Sequence, residues 1–128
     1  MTHAATLRAL LDETLDPADF THEAHVGAAY EALAAQDFAD ALAAYSAGVR
    51  KLAGRSGAEG LFSATITFAY FSAIAERMRT TPRDGADAFI RANPDLLDGS
   101  FLSSRFSPDR LASPVAKAIP LLPDRAGA

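Results

Sequence analysis

The chain contains no cysteine. That single absence excludes disulfides, thiolate nucleophiles, iron–sulfur ligation and thiolate zinc sites, and it fits a reducing compartment. Tryptophan is also missing and only two methionines are present. A basic balance is missing too: the formal net charge is −4, and the acid excess lies before Gly60. Phosphate neutralisation needs a basic surface, so no nucleic-acid partner is expected. The arginines in "RMRTTPRDGADAFIR" at 77–91 alternate with acids and read as a solvated face. No long hydrophobic run exists. The longest, "LFSATITFAYFSAIA" at 61–75, is broken by hydroxyls and falls short of the ~20 residues that cross a bilayer. No membrane segment is predicted. "MTHAATLRALLDE" has neither a basic n-region nor an apolar h-region, so no signal peptide is predicted and a cytoplasmic location is expected.

What is present is a globular composition, 49% apolar and 22% charged, over a length suited to one core. The expectation is a single helical domain over 1–128. Its first part, 1–19, is a short helix and turn, with Leu7, Leu10, Leu11 and Leu15 on one side of a helix over 4–15. Thr21 can cap a first main helix to residue 35, with Val26, Ala29, Tyr30 and Leu33 as its buried stripe. Asp37 opens a second over 38–53, ended by Gly54 and the connector "GRSGAEG". "TITFAYF" at 65–71 has strand composition, but the apolar run continues into "SAIAERMR". The whole, about 61–79, is read as a helix apolar all round and central to the bundle. Thr81-Pro82 predicts the start of a fourth helix over 82–92. Residues 93–128 then form a C-terminal wrap of short helices started by Pro94, Pro108 and Pro114, the last two capped by Ser107 and Ser113. The fold class is all-α: a bundle of four main helices with that wrap.

Only three histidines occur, and two of them, His22 and His25, share one face at a helix start. They continue the Val26–Ala29 stripe towards its N-terminal end. The positive end of the helix dipole disfavours added positive charge there, so neutral imidazole is expected, the form a base or metal ligand requires. The competing reading is a pair of half-buried histidines bonded to nearby backbone. Ser63, Thr67 and Tyr70 share a face of the third helix and would line the polar side of a pocket, with Tyr30 and Tyr45 from neighbouring helices. Helical hydroxyls can instead bond back to their own i−4 carbonyls.

Several stretches together, "FTHEAHV" at 20–26, "TIT" at 65–67, "NPDLL" at 93–97, "FSPDRLAS" at 106–113 and "LPD" at 122–124, carry a likeness in order and spacing. The chain resembles a widespread family of small bacterial all-helical proteins with an uncharacterised role. That resemblance implies the helical fold, and the family pattern carries a third histidine in an aromatic–His–x–Thr–(Leu/Ile)–Thr segment; if the three converge on one site, that site is incomplete in this chain. This chain has Ser63 at that place.

Three functions remain open on the sequence. The first is a small-molecule enzyme with His22 and His25 as acid–base or orienting groups and Ser63, Thr67, Tyr70 and Tyr30 holding substrate. A second is a binding or accessory subunit that meets a partner or a second copy through the Ala39, Ala43, Ala44 and Ala47 face. The third is a metal-binding protein. No cofactor is predicted. If a divalent metal is bound, His22 and His25 are its ligands, but catalytic sites generally use three protein ligands and His3 sits in an expectedly mobile terminus. No HExxH, Gly-x-Ser-x-Gly or phosphate-binding glycine loop is present.

Overall fold

A computed structural model describes residues 1–126. Eight α-helices and three short 3-10 turns make up its regular structure, with no strand among the described residues. The helices are α1 (His3–Leu11), α2 (His22–Ala35), α3 (Phe38–Arg55), α4 (Ala64–Thr80), α5 (Ala86–Ala92), α6 (Ser100–Arg105), α7 (Pro108–Ala112) and α8 (Pro114–Ala118). The all-α architecture and the Pro-initiated C-terminal helices agree with the sequence expectation. No helix among the described residues is long and apolar enough to cross a membrane.

Side-chain caps set most helix starts. Thr2, Thr21, Asp37, Ser63, Ser107 and Ser113 each accept a hydrogen bond from a backbone N–H two or three residues into their helix. Two boundaries differ from those expected. α1 ends at Leu11 rather than 15, because Glu13 turns left-handed (φ 61°) and the Thr14 and Leu15 amides both return to the Ala9 carbonyl. The turn still delivers Leu15 to the core at 3% exposure. α5 starts after Gly85, not at Pro82. The Thr81 hydroxyl donates to the Arg77 carbonyl at 2.7 Å, so it closes α4 instead of opening α5. α6, which no proline announces, is a further addition to the expected wrap. It begins after Gly99 in the left-handed region, where the Asp98 carboxylate accepts from both the amide and the hydroxyl of Ser100.

The central helix is α2, not α4. It packs against α1, α3, α4 and α5, and it buries Ala24, Val26, Gly27, Ala28, Ala29, Tyr30 and Ala32 around most of its circumference. Small side chains are the reason: a helix of Ala and Gly lets neighbours approach from several sides, and its low contrast hides this from any stripe analysis. α4 buries only Thr65, Phe71, Ile74 and Met78. Burial of Phe71 and Ile74, each 1% exposed, contributes roughly 1.5–3 kcal/mol apiece.

The N-terminus is anchored, contrary to the expected mobility of His3. Its ring lies where a Cβ on Gly27 would stand, and its Nε2 is 3.1 Å from the Asp87 carboxylate of α5. At the other end of the chain, the buried Thr65 hydroxyl donates to the Ile119 carbonyl and accepts from the Leu121 amide, both at 2.9 Å. The Asp124 carboxylate accepts from the Ser107 amide and hydroxyl. These bonds strap residues 119–125 along α4 and α6.

Candidate functional site

The capped start of α2 faces the middle of α3 and the first half of α4, and a hollow of about 180 Å³ lies between them. Its walls are mostly apolar: Val26 and Ala29 from α2, Val49 from α3, and Ile66, Phe71 and Ile74 from α4. Leu61 and Phe62, from the turn before α4, close one side. The polar groups on its lining are His22, His25, Tyr45, Ser63, Thr67 and Tyr70.

His25 is the most constrained of them. Its ring stacks on Phe20, centroids 3.7 Å apart and planes within 24°. The Tyr45 hydroxyl donates to the His25 backbone carbonyl at 3.2 Å and lies 3.4 Å from Nδ1. When that hydroxyl proton is on the carbonyl, the compatible neutral tautomer is the one in which Nδ1–H donates to the Tyr45 oxygen. Nε2 is then the ring's free acceptor. Loss of water around the ring, and secondly the neighbouring His22, pull the His25 pKa down to about 4. Burial also pushes the Tyr45 phenol far above its ordinary value, so it stays protonated.

His22 lies at the mouth, exposed to solvent, with its ring 6.4 Å from that of His25 and edge-on to Tyr70 at 5.6 Å. Burial, reinforced by Asp95 and Asp98, raises the half-buried Tyr70 phenol. Ser63 has less freedom than its position in the sequence implies. Its Oγ accepts from the Ile66 amide at 3.2 Å as the α4 cap and donates to the Ala116 carbonyl at 3.4 Å. Thr67 lines the hollow one turn further along α4.

The structure therefore gathers six of the seven residues expected around a pocket. Tyr30 is the exception. It is 5% exposed and packs on Phe89 of α5, centroids 5.2 Å apart, away from the histidines. Because α2 is buried on several faces, membership of its stripe does not indicate which neighbour a side chain meets. One contributor carries little sequence signal for the site: Phe20 precedes the helix it serves. Tyr45, expected on the lining from a neighbouring helix, lies there. Among the described residues no cluster of three or more His, Cys, Asp or Glu side chains is placed to hold a metal ion.

Chemically, the lining offers a neutral nitrogen acceptor, two phenols and the Thr67 hydroxyl, with no carboxylate, lysine or arginine. Such a lining suits an uncharged molecule with one or two polar atoms. No family model matches the chain, and neither a curated protein nor a solved structure matches it.

Proposed function

We propose that the chain handles a small, mostly apolar molecule in the hollow between α2, α3 and α4, with His25 receiving a hydrogen bond from its polar group. His22 is the partner at the mouth, in contact with water. The observation that carries this reading is the fixing of His25: stacked on Phe20 and tied through Tyr45, at the wall of an otherwise apolar space. An apolar cavity of about 150 Å³ is enough to admit a benzene-sized molecule, so this hollow suits a single ring or a short branched chain. An imidazole with a pKa of about 4 is neutral at physiological pH and a weak base. Its contribution to a reaction is orientation and polarisation of a substrate O–H or N–H more than outright proton removal. Thr67 and Tyr70 would bind the same molecule.

Titration with benzyl alcohol and toluene, followed by amide and imidazole chemical shifts, tests the proposal. Benzyl alcohol should shift resonances of His25, Phe62 and Thr67 saturably and bind more tightly than toluene. His25→Phe should remove that preference while the protein stays folded. Equal affinity for the two probes in the wild type, or shifts confined to other surfaces, would refute it. Ala39, Ala43 and Ala47 do lie exposed on α3, and sedimentation over a range of concentrations tests the separate reading of assembly through that face.

A further inference from the structure

On the other side of α4 a second hollow, also about 180 Å³, is bounded by α4, α6 and the C-terminal strap. It shares no lining residue with the histidine site. The Phe101 ring is part of its lining and carries two guanidinium groups, Arg105 at 5.3 Å and Arg77 at 5.7 Å from its centroid. The two arginines differ in one respect. Arg77 is neutralised by Asp95 through paired hydrogen bonds of 2.8 Å and also donates to the Asn93 side chain at 2.9 Å. Arg105 makes no side-chain hydrogen bond or ion pair among the described residues, and its Nε is buried without an acceptor.

A buried donor without a partner costs roughly 1–3 kcal/mol, and folded proteins rarely leave one so. Here the donor belongs to a planar fork whose natural counterpart is a carboxylate. Apart from Ser72, Glu76 and Arg77 the rest of the lining is apolar, and the hollow is partly open to water, with Phe68 at 38% and Leu122 at 79% exposure. The wall carrying Leu122 is held in place, because Arg110 Nε donates to the Leu122 carbonyl and the Arg105 carbonyl accepts from the amides of Asp124 and Arg125. The Arg105 guanidinium and the apolar trough therefore lie side by side on a fixed surface, with the unpaired Nε beneath it.

We propose that this hollow binds a small organic carboxylate with a short apolar tail, its carboxylate on the Arg105 guanidinium and its tail along Phe68 and Leu122. Glu76 also lines the space. Its charge confines the anionic head to the Arg105 side and excludes ligands with a second carboxylate near α4.

Hexanoate, 1-hexanol and hexylamine, each titrated into the wild-type protein, separate charge from tail. Hexanoate should bind about tenfold more tightly than hexanol, and hexylamine should be weakest. The Arg105 Nε–H resonance should move with hexanoate, together with the Phe101 and Leu122 amides. Arg105→Gln should lower hexanoate affinity about tenfold and leave hexanol unchanged, with Arg105→Lys between them, since lysine keeps charge but not the fork. Glu76→Gln should tighten hexanoate. Equal binding of hexanoate and hexanol by the wild type, or an unmoved Nε–H signal at saturation, would overturn the assignment without recourse to a variant.

Discussion

Acidification tests the environment of His25 directly. The unfolded chain takes a proton on this ring near 6.5, the folded chain only near 4. Between these values the unfolded state binds more protons, so stability is highest above about pH 6.5 and falls as pH drops towards 4. The full difference corresponds to about 3 kcal/mol, of which about 2 kcal/mol is lost by about pH 5. Both are upper values, because the ring keeps some contact with water and solvent screens part of the effect. For a chain of this size, such a loss lowers Tm by roughly 5–10 °C between neutral pH and about pH 5. Thermal melts followed by circular dichroism at the two pH values measure it. His25→Gln should remove most of the shift, since glutamine does not titrate and Tyr45 can keep its bond to the backbone.

The carboxylates held below their ordinary range act outside this window. Asp95 is held low by its hydrogen bond to Arg77, and Asp98 and Asp124 by those from Ser100 and Ser107. Groups with depressed pKa values lose their contribution only as pH falls below the ordinary carboxylate range, about 4. An imidazole signal of His25 titrating at 6.5, or an equal loss of Tm in wild type and His25→Gln, would refute the reasoning.

Gly27→Ala should displace the His3 ring and its contact with Asp87, costing about 1–3 kcal/mol in chemical denaturation; adding His3→Ala should recover part of that loss. Thr65→Val keeps shape but deletes the hydroxyl that bonds Ile119 and Leu121, so a loss of about 1–3 kcal/mol is expected, with faster proteolytic cleavage after residue 118. Ala29→Leu should project into the first hollow, changing stability by less than about 1 kcal/mol where overpacking of a filled core typically costs 1–3, and it should abolish benzyl alcohol binding.

The helices were legible wherever one residue had one available use. Thr21 and Asp37 have no better occupation than a cap, and both cap. Thr81 shows the opposite case: a hydroxyl followed by proline looks like a helix start, but the same hydroxyl can close the preceding helix, and the Arg77 carbonyl takes it. Leucine spacing carried the expected α1 to Leu15 because a left-handed turn at Glu13 returns Leu15 to the face a continued helix would have offered. Around the first hollow, i+3 and i+4 spacing was enough to place His22 with His25 and Ser63 with Thr67 and Tyr70, since residues on one helix face share a neighbour. Which neighbour they share depends on packing, and there Tyr30 departs. Arg105 could not be singled out at all. "SSRFS" has no periodicity, and the arginine gains its setting from Phe101 beneath it and from the strap that returns along α4.

Both hollows are consequences of the same unequal distribution of side-chain size. Gly27 on α2 lets α1 come close, since the His3 ring stands where its Cβ would be, and Gly48 on α3 admits Leu10 of α1 in the same way. α4 cannot come equally close along its whole length, because Phe71 and Ile74 wedge it at mid-helix. Towards its N-terminal end the short side chains of Val26 and Ala29 leave the gap beside His25. On its outer face α4 presents Ala69, Ser72 and Ala73, which are too small to fill the space up to α6, so Phe101 and the strap form a trough there instead of a packed seam. A close-packed interior tolerates few voids larger than a water molecule. These two flank a single helix and are partly open to water, the first beside His25 and the second beside Arg105, whose Nε is buried without an acceptor.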